Sequence, residues 1–476
     1  MSRLARPFAL TALCAFAAGC ALAPPPAPDD VRAQALPNVR VPEHWTAGAV
    51  DVGNAADGWL ALFDDATLAQ LCAEAMQYNP DLHVAAARVE AAEASARAAG
   101  AALWPQLSIA GHGGGKGGGD GSGVEAYGIF ASWEIDLWGK VRAQRAAAKE
   151  EYEAAALDER YARASIAALV AKSWFLAREA TAQRMIATEM AASAQKLADL
   201  ARDRQRIGKG DELEAAQAEA SAMSYRDMVL QADVARQNAL RAVEILAGRY
   251  PAAALDPSAD LPDPAGRVPA GLPSQLLERR PDVVAAERRV AAAFYRQEEA
   301  KAARLPSISL TANGTHISSD LFVLKDRENP VWGIGGNLLA PIFTGGALQA
   351  QVEVRTAEQK AAVANYGRIG SRAFGEVENA LSASFNLDSR ATVLADAVKA
   401  NEHATEMARV RYEIGSGDLR GVQEQMLALD AARTTYTHVR ADRLIQRVNL
   451  YLALGGGFEI APAAQNAQPA QDKPAS

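Results

Sequence analysis

Cysteine is scarce in this chain, three residues in 476. Cys14 lies inside an N-terminal apolar run, Cys20 ends that run and Cys72 stands alone in the body of the chain, so there is no disulfide framework and no cysteine-built metal cage. Cys72 reads as a small buried hydrophobe. Aromatic residues make up only 6%, and the hydrophobic fraction of 49% rests on alanine, which suits helices packed at short distance. A net charge of -8 leaves no broad basic field and points away from nucleic acid. Past the N-terminal run, no uninterrupted apolar stretch reaches the roughly 18 residues of a membrane-spanning helix. If the chain crosses a membrane, strands must do it.

Chemistry-bearing motifs are missing too. Gly115-Lys116 and Gly139-Lys140 lack the Ser or Thr that a phosphate loop places after its lysine. The histidines at 44, 83, 112, 316, 403 and 438 show no ligand spacing, and there is no Gly-x-Ser-x-Gly elbow. The sequence therefore predicts no enzyme, no cofactor and no metal.

The N-terminus carries Arg3 and Arg6, an apolar run from Phe8 to Ala18, then Gly19-Cys20. This is the layout of an export signal, here residues 1–19. A cysteine closing the run resembles the bacterial lipobox, with Cys20 the lipidated first residue of the mature chain, although Ala17 stands where leucine is usual. Ala21, which is not aspartate, implies by the same resemblance an outer-membrane address.

The body is an internal duplication. Pro80–Ile109 lies on Pro281–Leu310 without a gap, matching Pro80/Pro281, Asp81/Asp282, Arg88/Arg289, Val89/Val290, Pro105/Pro306 and Ser108/Ser309. Arg204 answers Arg411, and Ile207-Gly208-x-Gly210-Asp211 answers Ile414-Gly415-x-Gly417-Asp418. The predicted organisation is an extended tether over 20–58, a first repeat over 59–250, a Pro-rich linker over 251–275, a second repeat over 276–458 and a disordered tail over 459–476.

Within each repeat two periodicities alternate. Lys140 to Ile207 contains neither Gly nor Pro, and Ala347 to Ile414 contains no Pro. Each can run as one helix of about 100 Å, within long hairpins over 139–248 and 345–455. Heptad spacing at Ile186, Met190, Leu197, Leu200 and Ile207, with repeat mates Val393, Ala397, Ala404, Met407 and Ile414, predicts coiled-coil packing. Period-two alternation predicts strands over about 106–112, 124–136, 306–316 and 330–341, each close to the length of a tilted membrane strand. The Gly-rich stretch 111–123 and residues 317–330 are predicted as long polar loops. Four strands cannot close a barrel, so the chain must oligomerise.

Polar residues gather at the two Gly-x-Gly-Asp turns. Asp211 and Asp418 are natural N-caps. Glu214, Arg420 and Glu424 lie deeper in the returning helices and need another account.

The series Trp59-x-x-Phe63-x-Asp65, Asn79-Pro80-Asp81-Leu82, Trp104-Pro105-Gln106, Asp136-Leu137-Trp138-Gly139, Arg279-Arg280-Pro281-Asp282 and Pro341-Ile342-Phe343-x-Gly345-Gly346 resembles the TolC-like outer-membrane efflux channels, most of all their lipoprotein branch. The resemblance covers about Trp59 to Phe458. It implies a mainly α fold with a transmembrane β-barrel: four strands per chain, twelve in a homotrimer, and a long coiled-coil α-helical barrel. It implies as partners a periplasmic adaptor (membrane fusion) protein, an inner-membrane resistance-nodulation-division pump and outer-membrane lipid. The expected function is a passive exit duct for small molecules, with an exit duct of type I secretion or a non-channel periplasmic coiled-coil scaffold as alternatives. By the same resemblance Glu214, Tyr412 and Glu424 fall at the periplasmic gate. The family's arginine place holds Gly417 and one aspartate place holds Gly421, so Arg420, one turn away, is the expected substitute. Ile207, Gly208, Gly210, Asp211, Ile414, Gly415, Gly417 and Asp418 form the expected adaptor-contacting turns.

Overall fold

The structure, a computed structural model, describes residues 22–47, 58–115, 123–263, 266, 268–319 and 329–457. The duplication survives folding element by element. Helix α1 (Pro28–Ala35) and a single turn at Trp59–Phe63 precede α2 (Ala66–Tyr78). The first repeat then runs α3 (Pro80–Ala101), β1 (Gln106–Gly115), β2 (Gly123–Ile135), α4 (Lys140–Arg206) and α5 (Glu212–Leu246). After the short α6 (Leu276–Arg279) the second repeats it as α7 (Pro281–Ala302), β3 (Ser307–Ser319), β4 (Asn329–Leu339), α8 (Ala347–Glu413) and α9 (Leu419–Ala453). Equivalent helices have equal lengths: 22 residues for α3 and α7, 67 for α4 and α8, 35 for α5 and α9. No helix among the described residues is long and apolar enough to cross a membrane.

Two compact units cut across the repeats, each taking chain from both. One gathers the N-terminal chain to Val39, Ala85–Glu159 and Asp282–Gly370; the other gathers Arg40–Val84, Arg160–Pro281 and Ser371 onward.

The first unit holds the sheet, antiparallel throughout in the order β1-β2-β3-β4. Its register makes the predicted alternation consistent across all four strands. Ile109 pairs with Ile129, Ile129 with Gly314, and Gly314 with Trp332, while Trp133 pairs with Leu310 and Ile308 with Leu338. Directly opposed residues share a face, so one face carries Leu107, Ile109, Ile129, Trp133, Ile308, Leu310, Trp332, Ile334 and Leu338. The other carries Ser108, Ser132, Ser309, Thr311, Asn313 and Asn337, with Phe130, Val331 and Leu339 among them. The apolar face is uncovered, with Ile334 81% exposed.

Two expectations in this unit need correction. Part of the predicted glycine loop is strand: Gly111 pairs with Tyr127 and Gly115 with Gly123. Glycine has no side chain to alternate, so a period-two reading stops where the backbone ladder does not. The N-terminal segment is not extended throughout either. Pro28 at the first helical turn, where its missing N–H costs nothing, and Asp29 and Asp30 beside it open α1. Val31 is buried, and Gly367 of α8 lies so close to the carbonyl of Ala35 that a Cβ there would collide with it.

In the second unit Trp59 is buried and stacks on Tyr451 with ring centroids 5.8 Å apart, while Phe63 packs on Phe175 at 5.0 Å. Asp65 caps α2 through Leu68 N at 2.9 Å, and its other oxygen accepts Trp174 Nε1 at 2.8 Å and Arg178 Nη1 at 2.7 Å. Alanines line the inward stripe of α4, among them Ala167, Ala171, Ala194, Ala198 and Ala201. The heptad of α4 joins a core at Met190 and Leu197, with Ile186 and Leu200 at its margin. Its repeat mates behave differently. Val393 and Met407 are exposed and Ala397 and Ala404 only half-buried, while Ile414, like Ile207, stands exposed at its tip.

Candidate functional site

Both hairpin tips are built by one device, and all its parts lie in the second unit. Gly208 at φ +72° and Gly415 at φ +80° end α4 and α8 in the left-handed region that glycine enters without strain. Lys209 N donates to Arg204 O at 2.8 Å, and Ser416 N to Arg411 O at 2.9 Å, closing the same turn. Space at Gly210 and Gly417 is tight: a Cβ would lie 3.2 Å from Arg204 Cβ in one and 3.1 Å from Arg411 Cβ in the other, so a side chain there needs its neighbour to give by a few tenths of an ångström. Asp211 accepts Glu214 N at 2.7 Å and Asp418 accepts Gly421 N at 2.8 Å, each capping its returning helix. Ile207 and Ile414 stand exposed at the tips.

The structure separates the expected gate residues into two groups. Arg420 Nε donates to Glu424 Oε1 at 2.8 Å, an exposed i,i+4 pair on the first turns of α9. Such a pair stabilises its helix by about 0.3–0.5 kcal/mol. Tyr412 is instead fully buried in the core of Met190, Leu197, Leu419 and Met426, and its hydroxyl finds no hydrogen-bond partner among the described residues. Burial pushes the phenol's pKa up, and the nearby Glu214 and Asp211 add to this while Arg204 opposes it. Among the described residues no hydrogen bond or ion pair joins Arg420 or Glu424 to Glu214 or Tyr412. Cys20 lies outside the described residues.

Sequence reasoning missed Arg204 as a contact residue, having used it only to set the repeat's register. Its guanidinium carbon lies 4.6 Å from the Tyr412 ring centre. The available signal was an arginine one turn before one tip and a tyrosine one turn before the other.

At the sheet the motif residues have local duties. Asp136 accepts Val141 N at 3.0 Å and Arg142 N at 2.9 Å, capping α4, and Gly139 at φ +77° makes the turn into it. Trp133 Nε1 donates to Leu103 O at 2.9 Å and Trp138 Nε1 to Pro306 O at 2.7 Å, so each indole satisfies its polar atom.

A sheet apolar on one face and polar on the other, open at both edges and carried in a chain of long helical hairpins, defines a membrane-inserted channel subunit. The chain belongs to the outer membrane efflux protein family, whose model matches residues 71–249 and 272–456. It is 30% identical over 453 residues to the cation efflux system protein CusC of Escherichia coli O6:H1, covering 93% of this chain and 96% of that one. It is 31% identical over 441 residues to the pyoverdine export outer membrane protein OpmQ of Pseudomonas aeruginosa, covering 88% and 91%. Among solved structures, the open state of the Neisseria gonorrhoeae MtrE outer membrane channel matches with a TM-score of 0.78 at 28% identity, covering 92% of this chain and 98% of that one. The protein is the outer-membrane channel component of an efflux system.

Proposed function

We propose that three copies assemble into a passive exit duct for small molecules, opened by a periplasmic adaptor protein and driven by an inner-membrane pump of the resistance-nodulation-division class. The observation that carries this reading is the sheet. Its edges at β1 and β4 are unpaired in one chain, and an unpaired edge in lipid leaves several kcal/mol per backbone group unsatisfied. Three copies joined edge to edge give twelve strands and remove every edge, with the apolar face to lipid and the polar face to the lumen. The exposed stripe of Val393, Met407 and Ile414 then finds its cover on a neighbouring chain. Relatives named for cations and for pyoverdine share no cargo chemistry, which supports a duct that leaves selection to its pump.

In this reading Cys20 is acylated and adds an anchor to the barrel, Glu214, Tyr412, Arg420 and Glu424 border the periplasmic gate, and the two turns meet the adaptor. Protein extracted from outer membranes should run as a trimer by mass and form channels in planar bilayers. A monomer that leaves the membrane in a high-salt wash would favour the scaffold alternative instead. Three copies of Glu424 around one axis attract cations, so Glu424→Gln should weaken cation preference; unchanged selectivity would remove Glu424 from the gate.

A further inference from the structure

One contact at the tips is not duplicated between the repeats. Arg204 sits one turn before the end of α4, and its side chain crosses to the other hairpin. The guanidinium lies over the Tyr412 ring. Its Nη1 donates to the backbone carbonyl of Tyr412 at 2.8 Å, and its Nη2 donates at 3.3 Å to the carbonyl of Lys209 in its own turn. One planar group thus joins the first turn, the backbone at the end of α8 and an aromatic face. Arg411, the repeat counterpart, is exposed, and the counterpart of Tyr412 is the exposed Gln205.

A planar fork with several fixed donors suits this task where a lysine does not. An ammonium on a flexible stem could reach one carbonyl but could not lie flat on the ring and serve both acceptors. The ring beneath is held by Met190, Leu197, Leu419 and Met426, so the guanidinium meets a fixed surface. Any motion of the second hairpin's tip away from the first must slide Tyr412 from under it.

We propose that Arg204 is the latch between the two hairpin tips of one chain, holding the end of α8 against the first hairpin and thereby setting the resting aperture. Arg204 acts through Tyr412 and is a positioning residue. The proposal rests on the channel reading above.

The test uses full-length trimers of the wild type, Arg204→Met, Arg204→Lys and Arg411→Met in planar bilayers, with thermal melting followed in parallel. Arg204→Met should raise the open probability about tenfold, the scale of one charge-assisted hydrogen bond with a cation–π contact. Arg204→Lys should fall between it and the wild type with melting unchanged, and Arg411→Met should match the wild type. Adding Arg204→Met to Tyr412→Leu should raise opening no further than Tyr412→Leu alone. A wild type that forms no channels would sink the channel reading itself. A conducting wild type whose opening is unchanged in Arg204→Lys, or changed equally in Arg411→Met, would overturn the latch. If Arg204→Met does not assemble, Arg204→Lys decides.

Discussion

The places where each returning helix ends show how one backbone is held by two chemistries. In the first repeat the buried amide of Asn79 donates to Leu246 O, the last residue of α5, at 2.9 Å. Its oxygen meanwhile caps α3 through Asp81 N at 2.9 Å. In the second repeat Arg280 stands at the same place and donates to Ala453 O, the last residue of α9, at 3.3 Å. Having no acceptor, Arg280 cannot cap. Its charge is met by Glu376 of α8 at 2.6 Å and by the Tyr161 hydroxyl at 3.4 Å. The slot needs a donor aimed at a helix's final carbonyl; the rest of the side chain is free to recruit other elements. A neutral donor serves its own helix, whereas a charged one ties α8 into the junction.

Substitutions that remove each donor separate the two solutions. Arg280→Met takes from Glu376 its shorter partner, leaving it Arg372 at 3.5 Å, and strips the Ala453 carbonyl of its buried donor; it should destabilise by about 3 kcal/mol, the low end for a broken pair with one buried member. Asn79→Ala loses a cap and a buried hydrogen bond, about 2 kcal/mol. Thermal denaturation of the detergent-solubilised protein should rank them in that order. The reverse order would mean that the charge adds nothing to the donor.

The glycines that follow sharpen the comparison. Gly248 and Gly455 both adopt the left-handed region, at φ +75° and +70°. A Cβ at Gly248 would lie 2.7 Å from Tyr78 Cβ, but at Gly455 the nearest atom, Arg279 O, is 3.3 Å away. Gly455→Ala should therefore cost about 1 kcal/mol from backbone strain alone, and Gly248→Ala about 2 kcal/mol or more once crowding is added. Equal melting shifts would show that the Tyr78 contact relaxes freely.

The smallest expected effect is a pH dependence from His438 of the second repeat, which meets Glu179 of the first. His438 Nδ1 lies 2.9 Å from Glu179 Oε1, and Nε2 lies 3.4 Å from Asp442. The hydrogen bond to Glu179 raises the imidazole's pKa above its ordinary 6.5, while burial raises that of Glu179. Both shifts mean that the folded state holds its protons more tightly. The His438 contribution is fully present below pH 6.5 and is lost as pH rises through its folded value, while that of Glu179 fades at lower pH, from about 4.5 upward. The repeat counterpart, Gln231, is a neutral side chain that donates to Asp227. His438→Gln should flatten the melting temperature between about pH 6 and 8, and an unchanged slope would assign the dependence to other groups.

The amphipathic strands were legible because their two faces meet different surroundings, which forces residues such as Ile308, Leu310 and Ala312 to alternate with Ser309, Thr311 and Asn313. The tips were legible because a left-handed turn at a helix end favours glycine, which Gly208 and Gly415 supply. The helix at Pro28–Ala35 was not: Pro- and Ala-rich sequence is ambiguous until a surface such as Gly367 receives it. Nor was the joining of Arg204 to Tyr412, since these residues are brought together by the packing of two hairpins and share no local pattern.

The polar face of the sheet has a consequence for how current would flow. From Ser108 through Ser132, Ser309, Thr311, Asn313 and Asn337 it offers hydroxyls, amides and bare glycine backbone, interspersed with uncharged Phe130, Val331 and Leu339, and Glu134 near the end of β2 is already paired with Lys140 at 2.8 Å. A wall with so little fixed charge holds few counterions of its own. In the proposed trimer such a stretch of duct would act as a plain electrolyte column: its resistance would follow the bathing solution down to low salt, and a preference for cations would have to come from the proposed gate.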